Sequence, residues 1–124
     1  MRKLKQREVQ GVRDAILQTQ GHRCALCMMT LPNKDAVLDH DHKTGSVRGV
    51  LCRNCNGIEG KVYNLANRAK RKYNVVWWIN RLLAYWDVHD ECNYGLMYPT
   101  HKTADEKRLK RNETARKKRA AAKQ

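Results

Sequence analysis

Two Cys-x-x-Cys pairs constrain this chain more than any other feature in it. Cys24-Ala-Leu-Cys27 and Cys52-Arg-Asn-Cys55 are separated by 24 residues. A pair at that spacing sits on a tight turn and aims both sulfurs at one point, so two pairs make a tetrahedral four-thiolate site. Zinc suits such a site because it has no ligand-field geometry of its own to satisfy. The fold must therefore bring the two pairs together and accommodate everything between them. That intervening stretch holds Val37-Leu38-Asp39-His40-Asp41-His42 and Gly45-Ser-Val-Arg48-Gly49-Val-Leu. A structural zinc site does not explain this polar cluster.

Size makes the metal necessary. A chain of 124 residues is one domain, or one domain with a tail. Its 41% hydrophobic content is inflated by scattered alanines and contains no Phe, so a large core is not expected. A small core needs a staple. No apolar run approaches the roughly 20 residues that span a membrane. Met1-Arg-Lys-Leu-Lys is charged with no apolar stretch behind it, so no secretory signal is expected. Paired cysteines in such a chain read as metal ligands in a reducing cytoplasm, not as disulfides. Cys92 stands alone and reads as a small buried or half-buried thiol. The net charge of +14 and a pI near 9.9 call for a polyanionic partner, nucleic acid first. A membrane-surface role is disfavoured because the basic tail lacks bulky apolar residues at helical spacing.

The expected fold class is α+β: a small zinc-stapled core with flanking helices and a basic C-terminal tail. Residues 1–20 form an N-terminal helix, with Val9, Val12 and Ile16 as its stripe and Gly21 as its stop. Arg2, Lys3, Lys5, Arg7 and Arg13 are either a solvated face or contacts to a DNA backbone. Residues 21–70 form the zinc-clamped core. His22 is a further ligand candidate there, although four cysteines already fill a structural site. Ala36-Val37-Leu38 reads as a strand carrying Asp39 and His40 at its end. Lys43-Thr44-Gly45-Ser46 is a turn, and Val47 to Leu51 returns as the second strand. The hairpin then delivers Cys52 and Cys55 to the metal, and a helix runs from about Asn54 through Lys70.

Residues 71–90 form an amphipathic helix. Val75, Ile79, Leu82 and Trp86 lie on one face, and Val76, Trp77, Leu83 and Tyr85 widen it. That surface is either core or the interface of a homodimer, since Trp and Tyr are favoured interface anchors. Residues 91–124 are a linker, Tyr94 to Pro99, and a basic tail. From Lys102 to Gln124 there are ten Lys/Arg and three Asp/Glu, half of the whole net charge. Such a tail cannot bury enough surface to fold alone, but its Ala, Lys, Arg and Glu content allows a helix against DNA.

The polar cluster suits metal-assisted phosphodiester cleavage. Asp39 and Asn56 offer a carboxylate and an amide oxygen, hard ligands for Mg²⁺ or Mn²⁺. His40 is of the residue type that takes a proton from an attacking water near neutral pH. Arg48 or the tail lysines then position the phosphate. On spacing alone, Asp39, His40, Asp41 and His42 also read as a second structural metal site or a polar hairpin. The competing functions are a non-catalytic zinc-dependent DNA-binding module and a structural zinc protein that contacts protein partners.

Asp39-His40-Asp41-His42, Gly45, Val47-Arg48-Gly49-Val-Leu-Cys52, Cys55-Asn56 and Glu59-Gly60 together resemble the phage recombination endonuclease VII family. That family belongs to the wider ββα-metal nucleases, also called HNH or His-Me finger. The likeness covers residues 21–62, with a weaker echo over Trp77 to Tyr85. It implies a metal-dependent DNA endonuclease of low sequence specificity, junction-resolving or nicking, on duplex or branched DNA in the host cytoplasm. It implies structural zinc on Cys24, Cys27, Cys52 and Cys55, catalytic metal on Asp39 and Asn56, and His40 as general base. His42 and Glu59 fall at positions the family also uses near its active site. Two departures stand out. Val37 replaces a His found two before the Asp in the junction-resolving type, and the chain beyond residue 90 is unlike the family's helical dimerisation region.

Overall fold

The computed structural model describes residues 1–91 and 94–123, in two compact units, Met1–Leu83 and Ala84–Gln124. Cys92 lies outside the described residues. The protein is α+β, a two-stranded sheet among helices.

In the first unit a short 3-10 turn at Gln6–Glu8 leads into α1, Val9–Thr19. The helix therefore starts later than its charged N-terminal sequence suggests. Residues 1–5 are not helical, and the Glu8 carboxylate reaches back to accept the Lys5 N–H at 2.7 Å. The stop is local chemistry. Gly21 takes φ +66, a left-handed conformation that costs glycine little and closes the helix end.

The first Cys pair follows as a tight knuckle. Cys24 N–H donates to the Met29 carbonyl and Met28 N–H to the Cys24 carbonyl, both at 3.0 Å. Met28 itself sits at φ +63, a left-handed position that costs a side-chain-bearing residue roughly 1–2 kcal/mol and is held by the surrounding turn. The hairpin comes next: β1, Ala36–His40, pairs antiparallel with β2, Val47–Cys52. The register runs from Ala36↔Cys52 to Asp39↔Gly49 and then shifts, so that His40 faces Val47 and Arg48 is left over as a bulge. The chain passes directly from β2 into α2, Arg53–Ala69.

Leu17 of α1, Cys24 and Leu31 of the knuckle, and Ala36, Val50 and Leu51 of the hairpin form the core, with Ile16, Leu38, Cys52 and Cys55 packed against it. Three metal-ligand candidates, Cys24, Cys52 and Cys55, are thus also core packing. One residue that carries no sequence signal ties these parts together. The Gln20 side chain accepts the Val50 N–H and donates to the Val50 carbonyl, each at 2.9 Å, and also donates to the Arg23 carbonyl at 2.9 Å. It completes the edge of β2 as a strand would. Gln20→Ala leaves the partly buried Val50 N–H without its partner, while the Val50 carbonyl keeps the Ala25 N–H, and the expected loss is about 1–3 kcal/mol. Urea unfolding of the zinc-loaded protein measures it; a loss below about 0.5 kcal/mol would mean that water replaces the amide freely.

The third helix, α3 (Val75–Glu91), corrects an expectation. Only part of its apolar surface is buried. Within the first unit Val75 is buried and Trp78, Ile79 and Leu82 are half-buried, while Val76, Trp77 and Leu83 stay exposed. In the second unit Tyr85, Trp86 and Val88 are exposed as well. Apolar residues occur on more sides of this helix than one packing surface can cover. The tail is also more ordered than its composition suggests. Residues Ala104–Ala122 form α4, with no residue buried. Local terms hold it: the Thr103 hydroxyl caps the Glu106 N–H at 3.2 Å, Asp105 and Glu106 occupy the first turn, and Lys117 pairs with Glu113 at 2.8 Å.

Candidate functional site

The four cysteines meet. The sulfurs of Cys24, Cys27, Cys52 and Cys55 all lie within 4.8 Å of one another, which suits a single tetrahedral ion. Among the described residues this is the one point at which three or more His, Cys, Asp or Glu converge. His22 does not join it, so its candidacy as an extra ligand fails. Its backbone at φ +55 instead serves the knuckle, accepting the Leu31 N–H at 2.8 Å.

The protein holds these sulfurs with its own amides. Cys52 N–H donates to Cys24 Sγ at 3.4 Å, and Cys55 N–H donates to Cys52 Sγ at 3.3 Å. Cys52 is the N-cap of α2, whose first turn carries no acidic residue, so a thiolate there meets the positive end of the helix. Burial opposes ionisation of the Cys24 thiol, but backbone N–H groups of Cys52, Cys27 and Leu26 outweigh it and bring it down to about 6. Cys55 is pushed up to about 12, first by its hydrogen bond with the Cys52 sulfur and then by burial. Crowded sulfurs cannot all ionise without a cation among them, and a divalent metal would supply the missing charge.

The polar cluster occupies the far end of the hairpin. Asp39 is only 7% exposed, on the last turn-ward residues of β1. Alternation sends Asp39 and His40 to opposite faces. Arg48 ought to share the His40 face, but the bulge turns it toward Asp39. Its Nε lies 2.8 Å from Asp39 Oδ2 and its Nη2 3.1 Å from Oδ1, a bidentate pair. The same guanidinium reaches Glu59 of α2 at 3.2 Å. Asp39 and then Glu59 hold Arg48 above its ordinary range. Arg48, expected from the sequence to position a phosphate, is thus held here by both carboxylates.

His40 is exposed, and its ring centroid lies 5.1 Å from that of His42. The two imidazoles face different clefts. His42, with Asp41, Lys43, Arg48, Glu59 and Tyr63, lines a hollow of about 200 Å³. His40 lines a larger groove of about 990 Å³ between α1, the N-terminal arm and the hairpin turn. Asp41 takes a structural part. Its Oδ1 accepts the N–H groups of Lys43 and Thr44 at 2.8 and 2.9 Å, and those bonds, from Thr44 first, hold its carboxyl below the usual range. With Asp41 building the turn, these four residues do not form a second metal centre. Asn56 sits half-buried in the first turn of α2, three residues before Glu59. That interval puts both on one helix face.

In the second unit, Lys102, Lys107, Lys110, Arg111 and Lys118 border one hollow, while Asp105, Glu106 and Glu113 are absent from it. The Lys110 ammonium crowds Lys102 and holds it below the ordinary lysine value. No described helix in either unit is long and apolar enough to cross a membrane.

The Gene 59 protein of Mycobacterium phage D29 is 49% identical over 43 residues, which are 34% of this chain and 26% of that protein. The Gene 59 protein of Mycobacterium phage L5 is 50% identical over 42 residues, 33% of this chain and again 26% of the relative. The aligned segment thus spans about a quarter of each curated relative. The family comparison reaches much further, matching the sequence pattern described as recombination endonuclease VII over residues 2–87, from the N-terminal arm into α3. With that match extending over more than half of its length, the chain belongs to the recombination endonuclease VII family.

Proposed function

We propose that this protein is a divalent-metal-dependent DNA endonuclease, with His40 as the general base. The observation that carries this reading is the end of β1. There a buried Asp39 and an exposed His40 adjoin, and Arg48 ties Asp39 to Glu59 on α2, the helix that also carries Asn56. The strand–strand–helix order around that pair supports grouping the chain with the HNH, or His-Me finger, nucleases. Family membership supports DNA as the substrate.

Asp39 and Asn56 would hold the ion, and their oxygens suit Mg²⁺ or Mn²⁺. When bound, such an ion stabilises charge on the phosphate and on the leaving oxygen. The chain's own residues do the rest. His40, open to the larger groove, takes the proton of the attacking water, and Glu59 and His42 line the smaller hollow beside it. Among the described residues no element resembles a base reader, which supports cleavage of low sequence specificity, whether by nicking or at branched junctions. The exposed Val76, Trp77 and Leu83 of α3 support a homodimer, in which two sites address two strands. The setting is the cytoplasm of a phage-infected host.

The basic face of α4 grips the backbone without reading sequence. Deleting residues 102–124 removes up to five phosphate contacts from that face, so the slope of log affinity against log salt on duplex DNA becomes shallower by about 4. An unchanged slope would leave α4 a solubilising helix.

The whole reading is tested by incubating the zinc-loaded protein with supercoiled plasmid and with a synthetic four-way junction, with and without added Mg²⁺. Junction cutting far above plasmid cutting supports resolution, and equal attack supports a nickase. Binding without cutting in any divalent metal leaves the alternative, a zinc-dependent DNA-binding module.

A further inference from the structure

We propose that Arg48 is the resident counter-ion of Asp39, and that a divalent cation binds only by displacing it. This inference rests on the reading of Asp39 as a ligand of that cation. Asp39 is buried, and a buried carboxylate needs a compensating charge. Arg48 supplies it with two hydrogen bonds, at 2.8 and 3.1 Å, that engage both carboxylate oxygens. The fork takes one lone pair on each oxygen, and its positive charge, held at hydrogen-bond distance, repels a second cation from the same carboxylate. The guanidinium and the cation are therefore alternatives at one site.

Arg48 has somewhere to go. It already borders the hollow of about 200 Å³ with His42, Lys43 and Tyr63, and Glu59 holds its Nη2 at 3.2 Å. A planar guanidinium released from Asp39 and anchored by Glu59 can turn to a phosphate in that hollow. One substitution of charge thus does two things: it opens Asp39 to the ion and presents a cation to the substrate. The bulge makes the switch possible, because a regular ladder would place Arg48 on the opposite face from Asp39.

The test is direct titration of Mn²⁺ into the full, zinc-loaded chain, reading free Mn²⁺ by electron paramagnetic resonance, without DNA. Arg48→Met removes the competing charge and keeps most of the side-chain bulk. It should bind Mn²⁺ about 10–100-fold more tightly than the unmodified protein, the range expected when a hydrogen-bonded charge pair no longer opposes binding. Arg48→Lys, with a single point charge in place of the fork, should fall between the two. The double variant Asp39→Asn, Arg48→Met should lose the gain. Zinc content of one per chain and an unchanged circular dichroism spectrum establish that each variant is folded. Mn²⁺ affinity in Arg48→Met equal to or weaker than that of the unmodified protein overturns the proposal, as does absence of binding in both. If affinity is unchanged while the unmodified protein still cuts DNA in a Mg²⁺- and His40-dependent way, the counter-ion role fails and the nuclease reading stands.

Discussion

Removing the zinc, or replacing Cys52 with serine, is expected to unfold the first unit altogether. Cys24 is fully buried in the core, and Cys52 and Cys55 pack against it, so the cysteine cluster and the hydrophobic core are the same object. Among the described residues eight apolar side chains are buried, one of them Cys24 of the cysteine cluster, which is a small core. Structural zinc contributes on the order of 10–16 kcal/mol at neutral pH, against a typical whole-domain stability of about 5–15 kcal/mol. No redistribution of the remaining contacts offsets that loss. Cys52 carries a second burden as the cap of α2, so its loss also frees the helix that bears Asn56 and Glu59. The expected result is disappearance of the cooperative thermal transition in chelated protein, and its return when one equivalent of zinc is added back. Acid should release the metal as well, because protons compete for the thiolates as pH falls. A chelated protein that still melts cooperatively would show that the hairpin and α1 suffice without the clamp.

The second large effect concerns chemistry, not folding. His40→Ala should lower the rate of DNA cleavage by about 10²–10⁴-fold, the usual contribution of a positioned general base. Affinity for DNA and thermal stability should stay nearly unchanged, because His40 is exposed and takes no part in the core. His42→Ala is the informative comparison. Its ring lies beside that of His40 but lines the other hollow, so its loss should cost far less if His40 alone takes the proton. Equal losses in the two variants would mean that the imidazoles act as a pair. Undiminished cutting in His40→Ala would remove the proposed base and reopen the assignment of the site.

Local features of the chain predicted much of this molecule. Two Cys-x-x-Cys pairs imply one four-sulfur site wherever the fold closes, because the turn within each pair aims its own sulfurs. A short β-branched run before and after a glycine-bearing turn implies the hairpin, and the structure has β1 and β2 within a residue or two of those bounds. The Asp-His pair at the strand end is likewise a matter of adjacency in sequence.

Other features were decided by long-range geometry. Gln20 has no motif, and its part follows from lying 30 residues from Val50 in sequence but one hydrogen bond away in space. The exposure of α3 could not be inferred from its composition, because apolar periodicity says which residues want a partner and not whether the fold provides one. Arg48 shows the division most clearly. Sequence alone makes it a cation near a polar cluster, free to meet a phosphate. A one-residue shift in the ladder between β1 and β2 turns it onto a buried carboxylate instead. The sequence by itself determined which ligands and which strand end this protein has, since those depend on neighbours along the chain. Only the tertiary structure decided which charge faces which, since strand register and burial set the distance between groups that the chain holds far apart.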